Sequence, residues 1–433
     1  MSEYKKEEWR VKQPAADIRA LAERFSISPI LAHIIVNREI TEPDAVACYL
    51  SDDLAYTHDP ALMKDMDKGC QIMKEKIRAG KKIRIISDYD VDGITSNYIL
   101  YQGLQKAGAD VSYDIPHRIM DGYGMNVRLV EAAYADGVDT IITCDNGIAA
   151  ETAVTRAKEL GMTVIVTDHH EVPCEVTENG EKNYLYVNAD AVIDPHRPDC
   201  AYSYKNLCGA GVAYKFIRHL YRVTELPWED EDAYMDILAL GTVCDIMPLT
   251  DENRIFVKRG LRRLTNSTNL GINALKKALG LDGKPIEVHH LSFRIGPSLN
   301  STGRLESAKE GMELLLTDDP ARAESLHPFP TPPADRRKGS QSSEETDPIS
   351  PTSSANSRAS ASQASATRHT PKGSPTRLET ARTSAAGTPS AAATAKNAAP
   401  SMFSTSAPAG AAPLRATLLE TAVRSPGTAN VGR

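Results

Sequence analysis

Ile83-Arg84-Ile85-Ile86-Ser87-Asp88-Tyr89-Asp90-Val91-Asp92-Gly93 is the stretch that decides the fold expected for this chain. An apolar run passes directly into three alternating aspartates and a glycine, as in a buried strand that turns sharply into a helix. In an open α/β sheet, ligands gather outside the carboxyl ends of the strands. Alternating carboxylates at such a turn can share two cations, although Asp92 as a helix N-cap beside two solvated aspartates is a simpler alternative. The stretch therefore predicts a metal site at one edge of a parallel sheet.

The same arrangement recurs twice further along the chain. Asp145-Asn146-Gly147 follows the apolar run 140–143, and Asp168-His169-His170 follows the run 163–166. Asp-Asn-Gly alone is a common turn and is more simply explained as one, but its position after a buried strand weakens that explanation. Two adjacent histidines after an aspartate suit a site where one ring binds metal and the other faces substrate. Asp and His ligands without Cys favour Mn, Mg or Zn over soft metals.

Three weaker segments accompany these motifs. Asp245 follows an apolar helix, where an ordinary C-terminal turn explains it equally well. Asp194-Pro195-His196 is interpreted as a surface turn, although its rigid backbone is also compatible with support of the site. Asn300 and Arg304, with Arg294 nearby, are interpreted either as a phosphate grip or as solvated loop residues.

Apolar runs alternate with helical segments in the central part of the chain, which predicts an α/β fold with a parallel sheet flanked by helices. Gly209-Ala210-Gly211 opens a later helix without a dinucleotide fingerprint or a Walker lysine, so we interpret it as a packing feature. Residues 254–279 are expected to be helical, and Pro285–Arg304 is expected to be a loop around Gly296-Pro297. The expected strands are Ile83–Ile86, Val111–Ile115, Thr140–Thr143, Thr163–Val166 and Tyr184–Val187.

Composition divides the chain into four expected regions. Residues 1–78 form a small helical N-terminal region, 79–250 the α/β domain, and 251–326 a helical and loop extension of it. In residues 327–433 Ala, Ser, Thr and Pro dominate, so this low-complexity tail is expected to be disordered.

Charge follows the same division. The tail holds 12 Lys/Arg and 6 Asp/Glu, a balance of +6, so the total of −7 leaves −13 for the rest. That acidity does not point to a nucleic-acid partner, and it does not exclude one, because a basic groove can be local.

The sequence favours a cytoplasmic protein with no membrane partner. Its seven cysteines form no C-x-x-C pair, and an odd number suits free thiols in a reducing cytosol. The N-terminus lacks the apolar core of a signal peptide, and no stretch approaches 18 consecutive apolar residues.

Taken together, the motifs resemble those of the DHH phosphoesterase superfamily, and within it the bacterial 5′-to-3′ exonucleases specific for single-stranded DNA. The resemblance runs from about Lys81 to Leu326 and includes Gly122-Tyr123-Gly124-Met125-Asn126 and the segment 296–305. It implies phosphodiester hydrolysis with two Mn²⁺ or Mg²⁺ ions, in DNA repair and recombination. It also implies single-stranded DNA as substrate, with a single-strand-binding protein and a helicase as candidate partners.

The resemblance also assigns roles to individual residues. It implies that Asp145 bridges two cations, that His170 faces the scissile phosphate, and that Asp88 lies beside the first metal. Asn300 and Arg304 are implied to orient the phosphate, Arg304 close to the reacting group. The implied metal ligands are Asp90, Asp92, Asp145, His169 and Asp245.

The chain also departs from the family pattern. Family members continue into a second domain with a Gly-Gly-His motif and then an OB-fold, whereas this sequence contains no Gly-Gly pair. We therefore expect a reading frame that is interrupted or joined to foreign sequence near Leu326, with activity impaired by truncation. The alternatives are a phosphatase acting on short oligonucleotides or nucleoside bisphosphates, and an inactive fragment or scaffold. None of the implied metal positions is degraded, which favours the nuclease.

Overall fold

The computed structural model describes residues 15–118, 120–305 and 308–326 of the chain. The predicted low-complexity tail, 327–433, lies outside these described residues. Within them, no helix is both long enough and apolar enough to cross a membrane.

The centre of the molecule is a five-stranded, wholly parallel sheet. Its strands are β1 (Lys82–Ser87), β2 (Asp110–Asp114), β3 (Thr140–Cys144), β4 (Thr163–Thr167) and β7 (Ala191–Ile193), and a separate hairpin consists of β5 (Cys174–Val176) and β6 (Lys182–Tyr184). The strand order of the sheet is β2-β1-β3-β4-β7. Its central strands are largely apolar because helices cover both faces.

Helices pack on the two faces of the sheet and extend the fold beyond it. They are α1 (Ile18–Arg24), α2 (Pro29–Asn37), α3 (Pro43–Leu50), α4 (Met66–Arg78), α5 (Val91–Lys106), α6 (Val127–Ala135), α7 (Glu151–Glu159), α8 (Gly209–Thr224), α9 (Met235–Cys244), α10 (Asp251–Thr265), α11 (Leu270–Ala278), α12 (Val288–His290), α13 (Gly296–Leu305), α14 (Ala308–Leu316) and α15 (Pro320–Leu326). Alternation along β1 sends Ile83 and Ile85 into the larger core and Ile86 into the smaller one, which α6 and α7 cover.

The strand order fixes where a site can form. β1 lies between β2 and β3 in the sheet. The chain passes from β1 to β2 on one side and then returns to β3 on the other, so the connections that follow β1 and β3 run in opposite directions. This reversal is a topological switch point, the usual place for a ligand in an open α/β sheet. Asp88 and Asp145 follow the two strands that flank it.

Two local predictions were wrong, and a third region is more divided than its pattern indicated. The fifth strand is Ala191–Ile193 rather than Tyr184–Val187, because three buried apolar residues suffice for an edge strand and give little sequence signal. The region 285–304 is not a loop: a π-helical turn, Leu291–Ile295, leads straight into α13, which accepts Gly296-Pro297 in its first turn. The stretch 254–279 is helical as expected, but it is divided between α10 and α11, with a break between Thr265 and Leu270.

The N-terminal helices α1–α3 enclose a small core of their own, which includes Ile35 and Tyr49. Basic side chains of α10 hold the end of α3. Arg254 Nε donates to the Tyr49 carbonyl at 2.8 Å, and Lys258 Nζ donates to the carbonyls of Leu50 and Ser51, both at 2.8 Å. Cations at a helix C-terminus stabilise it by satisfying carbonyls that lack helical partners.

We expect Lys258→Met to lower the free energy of unfolding by about 1 kcal/mol, because it removes the cation at this helix end. Thermal denaturation with limited proteolysis measures both the loss and any loosening of α1–α3. Lys284→Met is the matched control, since Lys284 Nζ donates to the nearby Gly280 carbonyl and not to the N-terminal helices. Equal effects of the two substitutions would contradict a role of Lys258 in holding the N-terminal helices.

Candidate metal centre

The loop after β1 places three carboxylates at the switch point. Asp88 and Asp92 are buried, and Asp90, rather than Asp92, caps α5 by accepting from the Gly93 amide at 3.0 Å. A Cβ at Gly93 would lie 2.3 Å from the Asp88 carbonyl oxygen, so only glycine lets the loop close this tightly. Capping therefore accounts for one aspartate and leaves two buried carboxylates unexplained by local structure.

Asp145 and His169 meet directly beneath this loop. Asp145 follows β3 in the left-handed region, with φ of 60°, and its Oδ1 lies 3.0 Å from His169 Nε2. Aspartate tolerates that backbone better than most residues. His169 follows β4, so the contact joins the ends of two neighbouring strands.

Asp92 and Asp245 complete the cluster from the other side. One carboxylate oxygen of each lies 3.7 Å from His169 Nε2. Asp245 caps the C-terminal end of α9, which carries it to the edge of the sheet from outside the strand loops. The predicted metal ligands thus come together from four separate parts of the chain.

Asp92 is also held by the first turn of α8. Its Oδ2 accepts from the Gly209 amide at 2.5 Å and its Oδ1 accepts from the Ala210 amide at 3.0 Å. The amides that begin a helix lack helical acceptors and attract negative charge. Gly209-Ala210-Gly211 is therefore more than the packing feature that we expected, because it orients a carboxylate of the site.

Asp168 organises the loop that carries the two histidines. It is buried, and its oxygens accept from the amides of Ile148 and His169, at 2.9 and 2.8 Å, and from His170 Nδ1 at 2.7 Å. Our residue assignment gave no role to Asp168, although its place beside the histidines in the motif was a usable signal. Its carboxylate is occupied by the loop, whereas His170 is half-exposed above it.

Asp194 contradicts the expectation of a surface turn. Its side chain is completely buried, and its Oδ1 accepts from the His196 amide at 2.7 Å. His196 Nδ1 in turn lies 2.5 Å from the His169 carbonyl oxygen. The segment 194–196 therefore packs beneath the histidine loop and supports it, because β7 ends directly beside β4.

Three overlapping groups of these side chains each have ligand atoms within 4.8 Å of one another. Asp145 belongs to two of the groups and His169 to two, so the groups form one continuous cluster. The groups are Asp88-Asp90-Asp145, Asp145-His169-His170 and Asp92-His169-Asp245.

The cluster concentrates negative charge in a buried place. Burial, and then repulsion from Asp90, raises the pKa of Asp88 to about 7. Burial and the charge of Asp92 likewise raise the pKa of Asp245 to about 7, and they raise the pKa of Asp145 well above its ordinary value. Carboxylates that repel each other in this way are stabilised by a bound cation.

The pKa values of the two histidines are shifted in opposite directions. Burial lowers the pKa of His169, which keeps its ring neutral and able to accept a metal ion. The hydrogen bond to Asp168 raises the pKa of His170 to about 9, so this ring carries a positive charge at neutral pH. One ring is thus suited to a cation and the other to an anion.

The donor set fits a divalent cation. Among the described residues, Asp88 Oδ1 is buried without a hydrogen-bond partner, which is costly unless another group satisfies it. The three groups consist of carboxylates with His169 and His170 and contain no cysteine, and a donor set dominated by carboxylate oxygens suits Mn²⁺ or Mg²⁺.

A cavity of about 160 Å³ opens beside Asp90 and Asp92. Asn300 lines it together with Ser292 and Pro297, which places this predicted phosphate contact next to the carboxylates. Arg304 lies one turn further along α13, and its side chain is outside the described part of the structure. Arg294 points elsewhere, because it donates to the Leu279 carbonyl.

Comparisons with known proteins relate this part of the chain to one family. Residues 82–242 match the family model "DHH family, N-terminal domain". Single-stranded-DNA-specific exonuclease RecJ of Bacillus subtilis (strain 168) is 36% identical over 319 residues, which are 73% of this chain and 38% of that protein. RecJ of Thermus thermophilus is 36% identical over 286 residues, 63% of this chain and 40% of that protein. The chain thus spans less than half the length of these relatives.

Solved structures give the same relationship. A crystal structure of exonuclease RecJ bound to manganese has a TM-score of 0.53 at 34% identity, covering 61% of this chain and 64% of that one. RecJ from Thermus thermophilus in complex with Mn²⁺ has a TM-score of 0.58 at 30% identity, covering 71% of this chain and 42% of that one. The family match and the similar structures lead to one conclusion: residues 82–242 of this chain match the DHH-family N-terminal domain, and the chain is similar in sequence and in fold to the RecJ exonucleases.

Proposed function

We propose that this chain hydrolyses phosphodiester bonds of single-stranded DNA from the 5′ end, using two Mn²⁺ or Mg²⁺ ions. The observation that carries the proposal is the meeting of five carboxylates and two histidines at the switch point, with ligand atoms of each group within 4.8 Å. The substrate and the metals come from the relatives, which are named as exonucleases specific for single-stranded DNA and have structures with Mn²⁺ and Mg²⁺.

In this proposal Asp90, Asp92, Asp145, His169 and Asp245 hold the cations. Bound divalent cations lower the pKa of water towards neutrality and neutralise the charge of a phosphate, which removes the need for a serine or cysteine nucleophile. The neutral ring of His169 provides a nitrogen ligand.

The remaining residues act on the phosphate. His170 keeps its proton at Nδ1 through Asp168, so its positive ring attracts the phosphate beside the cluster. Asp88 would lie next to the first cation, where its buried Oδ1 can find a partner. We assign Asn300 and Arg304 to the orientation of the phosphate, on the strength of the cavity that Asn300 lines.

The test is degradation of a 5′-phosphorylated single-stranded DNA by the purified chain in Mn²⁺, with a duplex and a dinucleotide as parallel substrates. We expect nucleotides to be lost from the 5′ end of the single strand and the reaction to stop when EDTA removes the metal. Cleavage of the dinucleotide alone would replace the proposal with a small-substrate phosphatase. A folded protein that binds Mn²⁺ and cleaves none of the three would be a scaffold.

Two further expectations belong to the proposal. The first is that the chain binds a single-strand-binding protein and a helicase, and the second is that it acts in the cytoplasm. Both follow only from the resemblance to the exonucleases. Pull-down of the purified chain with each candidate partner measures the first of these directly.

A further inference from the structure

The turn from Asp245 to Asp251 joins α9 to α10 and contains two strained residues. Ile246 has φ of 57° and Asp251 has φ of 48°, and neither is glycine. A β-branched residue in the left-handed region is a conformational outlier. Ile246 is 88% exposed, so burial of its own side chain does not hold it there. The Ile246 and Met247 amides close the end of α9 by donating to the Val243 and Thr242 carbonyls, a pattern that places Ile246 in the left-handed region, and an isoleucine there needs further support from its surroundings.

Two side chains hold the middle of this turn. The Pro248 carbonyl accepts from the Tyr204 hydroxyl at 3.1 Å and from Asn253 Nδ2 at 3.2 Å. The Tyr204 hydroxyl also lies 3.2 Å from Thr250 Oγ1, and Asn253 Nδ2 donates to the Asn206 carbonyl as well. The turn is thus tied to the segment that precedes α8, the helix whose first amides hold Asp92.

A buried ion pair anchors the far end of the turn. Glu252 is completely buried and accepts from Lys215 Nζ at 2.7 Å, from the Tyr202 hydroxyl at 2.5 Å and from the His58 amide at 3.1 Å. Lys215 is also buried and donates to the His58 carbonyl at 2.7 Å. These contacts anchor the start of α10, where the turn ends.

We infer that Tyr204 and Asn253 are positioning residues for Asp245. Their hydrogen bonds to the Pro248 carbonyl hold the strained turn. The strained turn keeps the Asp245 carboxylate 3.7 Å from His169 Nε2. The inference rests on the proposed function, in which Asp245 binds a cation. Ligands must be held within about 0.5 Å of their productive positions by supporting hydrogen bonds, so a relaxed turn weakens the metal site.

The test is Tyr204→Phe, which removes one hydroxyl and keeps the ring. Isothermal titration calorimetry with Mn²⁺ measures the affinity and the number of ions bound. We expect the affinity to fall about 10- to 100-fold, the usual cost of removing a group that orients a ligand. Asn253→Leu, which removes the other donor to Pro248 at similar volume, is expected to act in the same direction.

Tyr221→Phe is the matched control. Tyr221 is also a buried tyrosine, and its hydroxyl donates to the Gly103 carbonyl at 3.1 Å, the same distance as in the Tyr204 contact. It lies further along α8, away from the turn. We expect this variant to lose thermal stability and to keep the affinity of the wild type for Mn²⁺.

A second measurement needs no metal. The Ile246 and Met247 amides donate to the carbonyls of Val243 and Thr242, so hydrogen exchange at these two amides reports the turn itself. In metal-free protein we expect exchange there to rise by about tenfold or more in Tyr204→Phe, since a lost hydrogen bond of about 1.4 kcal/mol corresponds to a factor of ten. Exchange at the same amides should stay unchanged in Tyr221→Phe.

Each outcome decides a separate question. Wild-type affinity and exchange in Tyr204→Phe, or equal losses in both tyrosine variants, would overturn the positioning role. A wild-type chain that binds no Mn²⁺ would overturn the proposed function, and the positioning role with it, before any variant is compared.

Discussion

Replacing Asp145 with asparagine is expected to slow Mn²⁺-dependent degradation of single-stranded DNA by at least about 10³-fold. Asp145 belongs to two of the three ligand groups, so its loss weakens the cluster at its centre. A metal ion contributes several kcal/mol to stabilisation of the transition state, and about 4 kcal/mol corresponds to a thousandfold change in rate. Asparagine has nearly the same size and accepts the φ of 60° found here, which makes it preferable to alanine.

Asp139→Asn is the matched control for this experiment. Asp139 directly precedes β3, at the opposite end of the strand that Asp145 follows, and it bonds to Lys76 and Thr140. We expect the Asp139→Asn protein to degrade DNA at a rate within about twofold of the wild type, because this ion pair is remote from the cluster. Its loss should also leave the fold intact, since surface ion pairs contribute about 0–1 kcal/mol to stability. An active Asp145→Asn protein, or equal inactivation by both substitutions, would count against the metal site.

Gly209→Ala is expected to weaken Mn²⁺ binding by about 10- to 100-fold and to destabilise the fold by about 1–3 kcal/mol. A Cβ at Gly209 would lie 2.6 Å from Asp145 Cβ and 3.0 Å from its Cα. The Asp145 backbone would have to move to relieve these contacts, which would destabilise the fold. Moving α8 away to make room would also pull the Gly209 and Ala210 amides from Asp92. Titration calorimetry and thermal denaturation measure the two losses.

Gly211→Ala tests whether that loss depends on the position of Gly209 or follows from any glycine-to-alanine substitution in the first turn of α8. A Cβ at Gly211 meets the Leu207 side chain first, at 3.1 Å, and no carboxylate of the site. Alanine also favours a helix more than glycine does. We expect near-normal Mn²⁺ affinity in this variant. A Gly209→Ala protein that binds Mn²⁺ as tightly as Gly211→Ala would show that close approach of α8 does not matter.

The sequence allowed prediction of the central sheet and of the places where polar side chains follow its strands. The apolar runs of β1, β3 and β4 are buried between two layers of helices, so each shows a nearly uninterrupted pattern that ends close to an aspartate. Parallel strands end at one edge, which brings Asp88, Asp145 and His169 together without further information. Metal occupancy and the roles of the single residues stay predictions.

Residues joined by tertiary contacts were harder to predict. Asp194 was expected at the surface because Asp-Pro-His is typical of turns, yet its burial depends on where β7 lies beside β4. Gly209 donates its backbone amide to Asp92, and every residue except proline has such an amide, so this contact could not be predicted from the residue type. The helical character of 285–304 was missed because Gly-Pro indicates a break when the sequence is read locally.

The wide spacing of the cluster along the chain has a consequence for folding. Its members run from Asp88 to Asp245, so the site closes only after the most distant of them has been synthesised and docked. A cation has no comparable place to bind on the unfolded chain. Binding therefore adds to the stability of the native state alone, by about 2.7 kcal/mol when the free ion is at about 100 times its dissociation constant. Under the proposed function, a bound metal ion would therefore favour the completely folded domain over partly folded chains.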